Sequence, residues 1–226
     1  PAGRPELTQA LYADPEHWCK AGTIDYLTPQ IYWDHNREDF ADFDTVLPQW
    51  TAINNGIPLI PGLAAYKYKI VSSKEKFDSP TEYLYQVAAS RKAGCIGNFW
   101  YNTTSVRKDD IKSYLAAEIY KRGALTPFIT NNPVELPAPV ASINGSKISW
   151  SESSGADNYA VLKLEKLSSG QWTTNVVYSG VAKSFTAPKG PHTAMAGNLP
   201  VAPFGVYMSA ASVMPKRLVN VTFLCS

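Results

Sequence analysis

The stretch TIDYLTPQIYWDH, residues 23–35, begins as a strand and ends in a crowd of aromatic and polar side chains. A strand alternates its side chains between two faces. Leu27 and Ile31 then fall on one face, and Ile24, Tyr26 and Tyr32 on the other. Apolar residues on both faces fit a parallel strand covered on both sides.

The neighbouring segments extend that reading. Residues 6–21 (ELTQALYADPEHWCKA) predict a broken helix, restarted by Asp14 as N-cap with Pro15 behind it and stopped by Gly22. Residues 38–55 place Phe40, Phe43, Val46, Leu47 and Trp50 at helical spacing, with a kink expected at Pro48 and an end at Asn55-Gly56. IPLIPGLAAY, residues 57–66, predicts a second buried strand with irregular ends at its two prolines. After a lysine-bearing loop, Ser79-Pro80-Thr81-Glu82 opens a helix that runs to about Lys92 and closes at Gly94. CIGNFWY, residues 95–101, predicts a third strand, and residues 105–123 a further helix ending at Gly123. Strict alternation of helix and strand implies a parallel sheet. Three strands cannot close a barrel, which takes eight.

The pattern changes after residue 123. ALTPFITNNPVELPAPVA has four prolines and no helical period, the mark of an interdomain linker. Beyond it, KISWSESSGADNYAVLKLE and QWTTNVVYSG alternate apolar and polar residues between Gly-containing turns, as in a β-sandwich. The expected division is an α/β domain over 1–125, a Pro-rich linker over 126–137 and an all-β domain over 138–226. In the last forty or so residues, strands are expected near 204–213 and 217–224, with weak turn chemistry.

Composition excludes several function classes. The 226 residues carry a net charge of +2 with signs mixed throughout, so no nucleic-acid partner is expected. Cys19, Cys95 and Cys225 match no zinc spacing and are expected as buried free thiols. No apolar run reaches the ~20 residues of a membrane span. No Gly-rich phosphate loop, nucleophile elbow or metal-ligand cluster is present, and no cofactor is expected. Six Trp and thirteen Tyr stand out, because flat aromatic faces suit the apolar faces of sugars as well as cores.

GTIDYLTPQIYW, IPLIPGLAAYK and GCIGNFWYN, in this order and spacing, resemble the glycosyl-hydrolase-like 10 family of bacterial proteins. Members look like (β/α)8 barrels, often followed by a fibronectin type III-like module. The resemblance implies that residues 1–125 correspond to about the last three βα units of a TIM-type barrel. Residues 138–226 are then a fibronectin III-like β-sandwich, with Trp150 as its core Trp and Tyr159 as the Tyr of its next strand. The Asp-rich strands that open the family's barrel have no counterpart in this chain. The resemblance also implies an extracytoplasmic place: periplasm, cell envelope or secreted medium.

In such a barrel, chemistry sits at the C-terminal ends of the strands. Asp34 lies at a strand exit and is the catalytic candidate, as general acid, base or partner of sugar hydroxyls; its other reading is a cap of the following loop. Gln30 and Tyr32 share one face above Thr28, and a polar Gln there needs partners such as sugar hydroxyls. Trp33 points the other way, into the core, and joins the site if the strand twists at its end. Tyr66 and Lys67 close the second strand, Lys67 either holding a polar group or standing in solvent. Trp100 closes the third as a sugar platform, with Tyr101 and Asn102 beside it. Asp25, at its strand's start, is read as structural and His35 as a surface residue.

Glycoside hydrolysis usually needs two carboxylates. Glu38 and Asp39 lie further on, at a helix start where the dipole favours acid regardless. The chain is therefore expected to be the C-terminal portion of a glycoside-hydrolase-like protein, with a strand-end groove binding carbohydrate or polysaccharide but no turnover of its own. The alternative is a non-catalytic glycan-binding or cell-envelope assembly protein. Either way the open three-stranded sheet calls for completion, by self-association or by an upstream half-barrel.

Overall fold

The computed structural model describes residues 12–37, 41–72, 75–124, 136–137, 139–156, 158–187, 204–209 and 221–222. The chain divides into two compact units, Pro1–Lys121 and Arg122–Ser226.

In the first unit, three extended segments run parallel. β1 (Gly62–Leu63) pairs with β2 (Phe99–Trp100), Gly62 facing Phe99 and Leu63 facing Trp100. On the other side of β1, parallel bridges join Leu27 to Leu59 and Gln30 to Gly62. The hydrogen bonds outrun these short ladders. Leu27 N–H donates to Pro58 O at 2.9 Å, Ile31 N–H to Gly62 O at 3.1 Å, Ile96 N–H to Leu59 O at 3.1 Å and Tyr101 N–H to Leu63 O at 2.9 Å. Pro29, Pro58 and Pro61 lack the N–H a regular ladder needs, which keeps the formal strands short. Among the described residues the sheet does not close into a barrel.

One side of this sheet is sealed by helices. α1 (Pro15–Ala21) begins at Asp14, whose side chain accepts from His17 N–H, and ends at Gly22 in the left-handed region, φ 65°. α2 (Phe43–Ile53) begins at Asp42, whose carboxylate accepts from Thr45 N–H at 2.6 Å and Thr45 Oγ1 at 2.7 Å. The expected kink residue, Pro48, lies inside it; Phe40 lies outside the described residues. α3 (Thr81–Lys92) follows the Ser79-Pro80 start.

The helix expected over 105–123 is instead three short pieces: α4 (Thr103–Val106), α5 (Asp109–Tyr114) and a π-helical turn, Leu115–Ile119. Lys108 is extended at φ −61°, ψ 132°, which breaks the run. Asn102 and the acidic pair Asp109-Asp110 each favour a fresh helix start.

Ile31, Leu59 and Leu63 from the sheet pack with Phe43, Val46 and Leu47 from α2, Tyr83 and Val87 from α3, and Ile111, Leu115 and Ile119 beyond. Each such burial stabilises by roughly 1.5–3 kcal/mol. The opposite side is open: Tyr26, Gln30, Phe99 and Tyr101 are exposed.

In the second unit, every pairing among the described strands is antiparallel. β3 (Ala141–Asn144), β4 (Lys147–Trp150) and β7 (Ser184–Thr186) form one sheet, in the order β3-β4-β7. β5 (Asn158–Lys166), β6 (Trp172–Gly180), β8 (Phe204–Ser209) and β9 (Val221–Thr222) form another, in the order β6-β5-β8-β9. Side chains from both sheets meet in one core around Ile148, Trp150, Tyr159 and Val161, with Tyr178 and Phe185 against it. The Trp150 ring lies 5.9 Å from Tyr159 and 6.1 Å from Tyr178.

Leu136 is buried in this core, and Pro137 O accepts from Ser153 Oγ at 2.6 Å. Both belong to the stretch expected as linker, whose remaining residues, 126–135, lie outside the described ones. The expected strands beyond residue 209 are described only at 221–222. Cys19 is buried and Cys95 half-buried, both as free thiols; burial pushes the Cys95 thiol up to about 11. Cys225 lies outside the described residues.

Candidate functional site

The parallel register brings the three strand exits side by side, and a tyrosine from each meets the other two. Tyr32 and Tyr101 stack at 5.9 Å between ring centroids. Tyr66 meets both edge-on at 6.0 Å. Tyr66 N–H also donates to Tyr101 O at 3.2 Å, tying two exits together. Gly62 makes room for this: a Cβ there would stand 3.3 Å from Tyr32 Cε1 and 3.3 Å from Pro29 O. Burial, then the neighbouring phenols, push the Tyr32 pKa up; for Tyr66 the causes are burial, then the Glu75 charge, then Tyr101. The Tyr32 and Tyr66 phenols therefore stay protonated and can donate hydrogen bonds.

Beside the tyrosines is a cluster of charge. Lys67 Nζ donates to Tyr32 O at 2.8 Å and forms an ion pair with Glu75 Oε1. Arg37 Nη1 reaches the same Glu75 oxygen at 2.9 Å. Lys67 is thus no solvated loop lysine; it bridges two strand exits and the loop that follows the second. Its ammonium also stands 5.6 Å from the Phe77 ring centroid. Glu75 was not among the residues singled out from the sequence. It lies in an irregular loop, where neither periodicity nor motif marks it.

Asp34 lies at the strand exit but is closed to solvent, with 1% of its surface exposed. Its Oδ2 accepts from Lys76 N–H at 2.6 Å, and its backbone carbonyl accepts from Phe43 N–H at 3.0 Å. Oδ1 is buried with no partner among the described residues, which costs about 1–3 kcal/mol. In this chain the Asp34 carboxylate anchors the loop after the second strand.

Trp33 is half-buried against the helix-side core, and its carbonyl accepts from Gln86 Nε2 at 3.0 Å. Trp100 also packs on that side. Its ring meets Tyr83 at 5.5 Å, and its Nε1–H donates to Tyr120 Oη at 2.9 Å. The register explains this: Trp100 pairs with buried Leu63, so the next residue, Tyr101, takes the opposite face. Asn102 caps α4, its Oδ1 accepting from Ser105 N–H at 3.1 Å. Gln30 is exposed on the open side.

His35 is more than a surface residue. Its Nδ1 bonds Glu82 Oε2 at 2.5 Å, and its backbone N–H donates to Glu82 Oε1 at 3.1 Å. Asn36 Nδ2 donates to its Nε2 at 2.8 Å, an arrangement that fits the Nδ1–H tautomer. The imidazole stacks on Tyr85 at 3.9 Å. Tyr85 Oη donates to Asp44 at 2.7 Å, a bond that with burial pushes the phenol up to about 12. Burial raises the Glu82 pKa against the pull of His35 and Gln86. This network ties the first strand exit to the first turn of α3. No group of three or more metal-ligating side chains occurs among the described residues.

Part of the chain is similar in sequence to known proteins. Residues 1–80 match the family model described as Glycosyl hydrolase-like 10. Glycosyl hydrolase YngK of Bacillus subtilis (strain 168) is 32% identical over 122 residues, which cover 52% of this chain. The same alignment covers 24% of that relative, so the chain spans about a quarter of its length. Both likenesses support a glycosyl-hydrolase-like protein.

Proposed function

We propose that the first unit is part of a glycosyl-hydrolase-like (β/α) barrel whose strand ends bind a glycan, and that this chain alone binds without turnover. The observation that carries the reading is the mutual contact of Tyr32, Tyr66 and Tyr101, one from each of three parallel strand exits. Clustered phenols, Tyr66 and Tyr101 exposed and Tyr32 half-buried, offer both a flat apolar surface and hydroxyl partners, which is what a sugar ring presents in return. A family of glycosyl-hydrolase-like proteins makes carbohydrate the ligand class to test first. Parallel sheets are normally covered on both faces. The open side therefore supports a barrel completed by further strands or by a second copy. In the second unit, a three-stranded and a four-stranded antiparallel sheet around Trp150 and Tyr159 support a fibronectin III-like module. An extracytoplasmic place goes with the same reading.

A second reading, a non-catalytic glycan-binding or envelope-assembly protein, is favoured by the burial of Asp34. With that carboxylate closed, the two-carboxylate arrangement of glycoside hydrolysis lacks a reachable member at the position expected for it. The test joins binding to turnover. Calorimetric titration with cello-, xylo-, malto- and chitohexaose should find at least one ligand. Tyr66→Ala should weaken it by about tenfold, since one aromatic contact is worth roughly 0.5–1.5 kcal/mol. Aryl glycosides should not be cleaved. Failure to bind any of the four sugars overturns glycan binding, and cleavage abolished by Asp34→Asn overturns the absence of turnover.

A further inference from the structure

Resting on the glycan reading of the strand exits, we infer that Glu75 is the carboxylate that faces the ligand there, accepting hydrogen bonds from sugar hydroxyls. The first ground is the way Glu75 is held. Lys67 and Arg37 both engage Oε1, and Oε2 has no hydrogen-bond partner among the described residues. The side chain keeps 16% of its surface exposed, against 1% for Asp34 as a whole. Two cations fix the carboxylate's position while leaving one oxygen to accept. Hydroxyls of a ligand are donors that such an oxygen can accept from.

The second ground is location. Lys67, which grips Glu75, also grips the backbone carbonyl of Tyr32. Glu75 is close enough to Tyr66 for its charge to act on that phenol. The carboxylate thus lies on the loop after the second strand, one lysine away from the Tyr32 carbonyl. Lys76, the next residue, donates its N–H to Asp34. Asp34, buried, thereby fixes the loop that presents Glu75. The two acids have separate tasks: one anchors the loop from below and the other meets the ligand.

The experiment uses the whole chain and the same four hexasaccharides. Glu75→Gln should weaken binding at least tenfold. Gln keeps the size of the side chain and removes its charge, so the loss should appear in binding without a change of fold. Circular dichroism and a melting curve establish that the variant is folded. If it is not, Glu75→Asp decides: a several-fold loss supports the inference and unchanged affinity overturns it. Wild-type affinity in folded Glu75→Gln also overturns it. When Tyr66→Ala weakens binding and Glu75→Gln does not, this inference alone falls. When no hexasaccharide binds the wild type, the glycan reading falls and takes this inference with it.

Discussion

In the second unit, two antiparallel sheets bury Ile148, Trp150, Tyr159 and Val161 between them, each sheet covering the other. In the first unit, one side of the sheet is sealed by helices over Ile31 and Leu63, while the other leaves Tyr26, Phe99 and Tyr101 exposed. The contrast follows from strand direction. An antiparallel sheet can keep one face in water, whereas parallel strands carry apolar residues on both faces. On the glycan reading proposed above, that exposed face is the one that meets a ligand or further strands, and Tyr32, Tyr66 and Tyr101 meet at its rim.

The largest expected effect separates the two sides of that sheet. Phe43→Ala, at a fully buried position, should cost about 3–5 kcal/mol in chemical denaturation. Phe99→Ala, at a position 49% exposed, should change stability by no more than about 0.5 kcal/mol. Equal losses would show that the open side is packed after all.

Next in size is the loop anchor. Asp34→Ala removes the acceptor for Lys76 N–H and should destabilise by about 1–3 kcal/mol. Protection of that amide in hydrogen exchange should drop with it. A stability unchanged within error would mean that the orphaned Oδ1 already cancels the anchor. Asn102→Ala should cost about 1 kcal/mol through the lost cap of α4. If it abolishes sugar binding without changing stability, Asn102 belongs to the site and not to the scaffold.

The smallest expected effect is a pH dependence. Burial raises the Glu82 pKa in the folded state, with His35 and Gln86 opposing. The folded state then holds this proton more tightly than the unfolded one. The stability it contributes is complete below the ordinary carboxyl range and is lost as pH rises through the folded value. The Tm of wild type relative to Glu82→Gln should therefore fall as pH climbs upward from that range. A difference that rises instead would mean that the bonds to His35 outweigh burial.

Much of the scaffold was legible in local pattern. Asp14 announces its helix as a cap, and Gly22 ends it. The period of two separates Tyr32 from Trp33, and the structure has Tyr32 among the clustered phenols and Trp33 against the core. The same period was harder to apply at Trp100, because nothing local shows which face pairs with Leu63. Trp100 therefore read as the platform when its neighbour Tyr101 is the residue on the open side. The helix expected up to Gly123 was misread for a related reason: its apolar spacing survives across breaks that only the backbone at Lys108 reveals.

What the chain's own periodicities and caps determine is the alternation of helix and strand, the later switch to antiparallel strands, and some core residues, such as Phe43, Val46, Leu47 and Trp150. These depend on neighbours within a turn or two, which a sequence displays directly. Tertiary structure decided the rest. It closed Asp34, set Glu75 between Lys67 and Arg37, and joined His35 to Glu82 across 47 residues of chain. Each of these outcomes depends on which loop folds over which strand end. Burial and charge pairing are properties of that three-dimensional neighbourhood, and the same Asp or Glu could have had either fate.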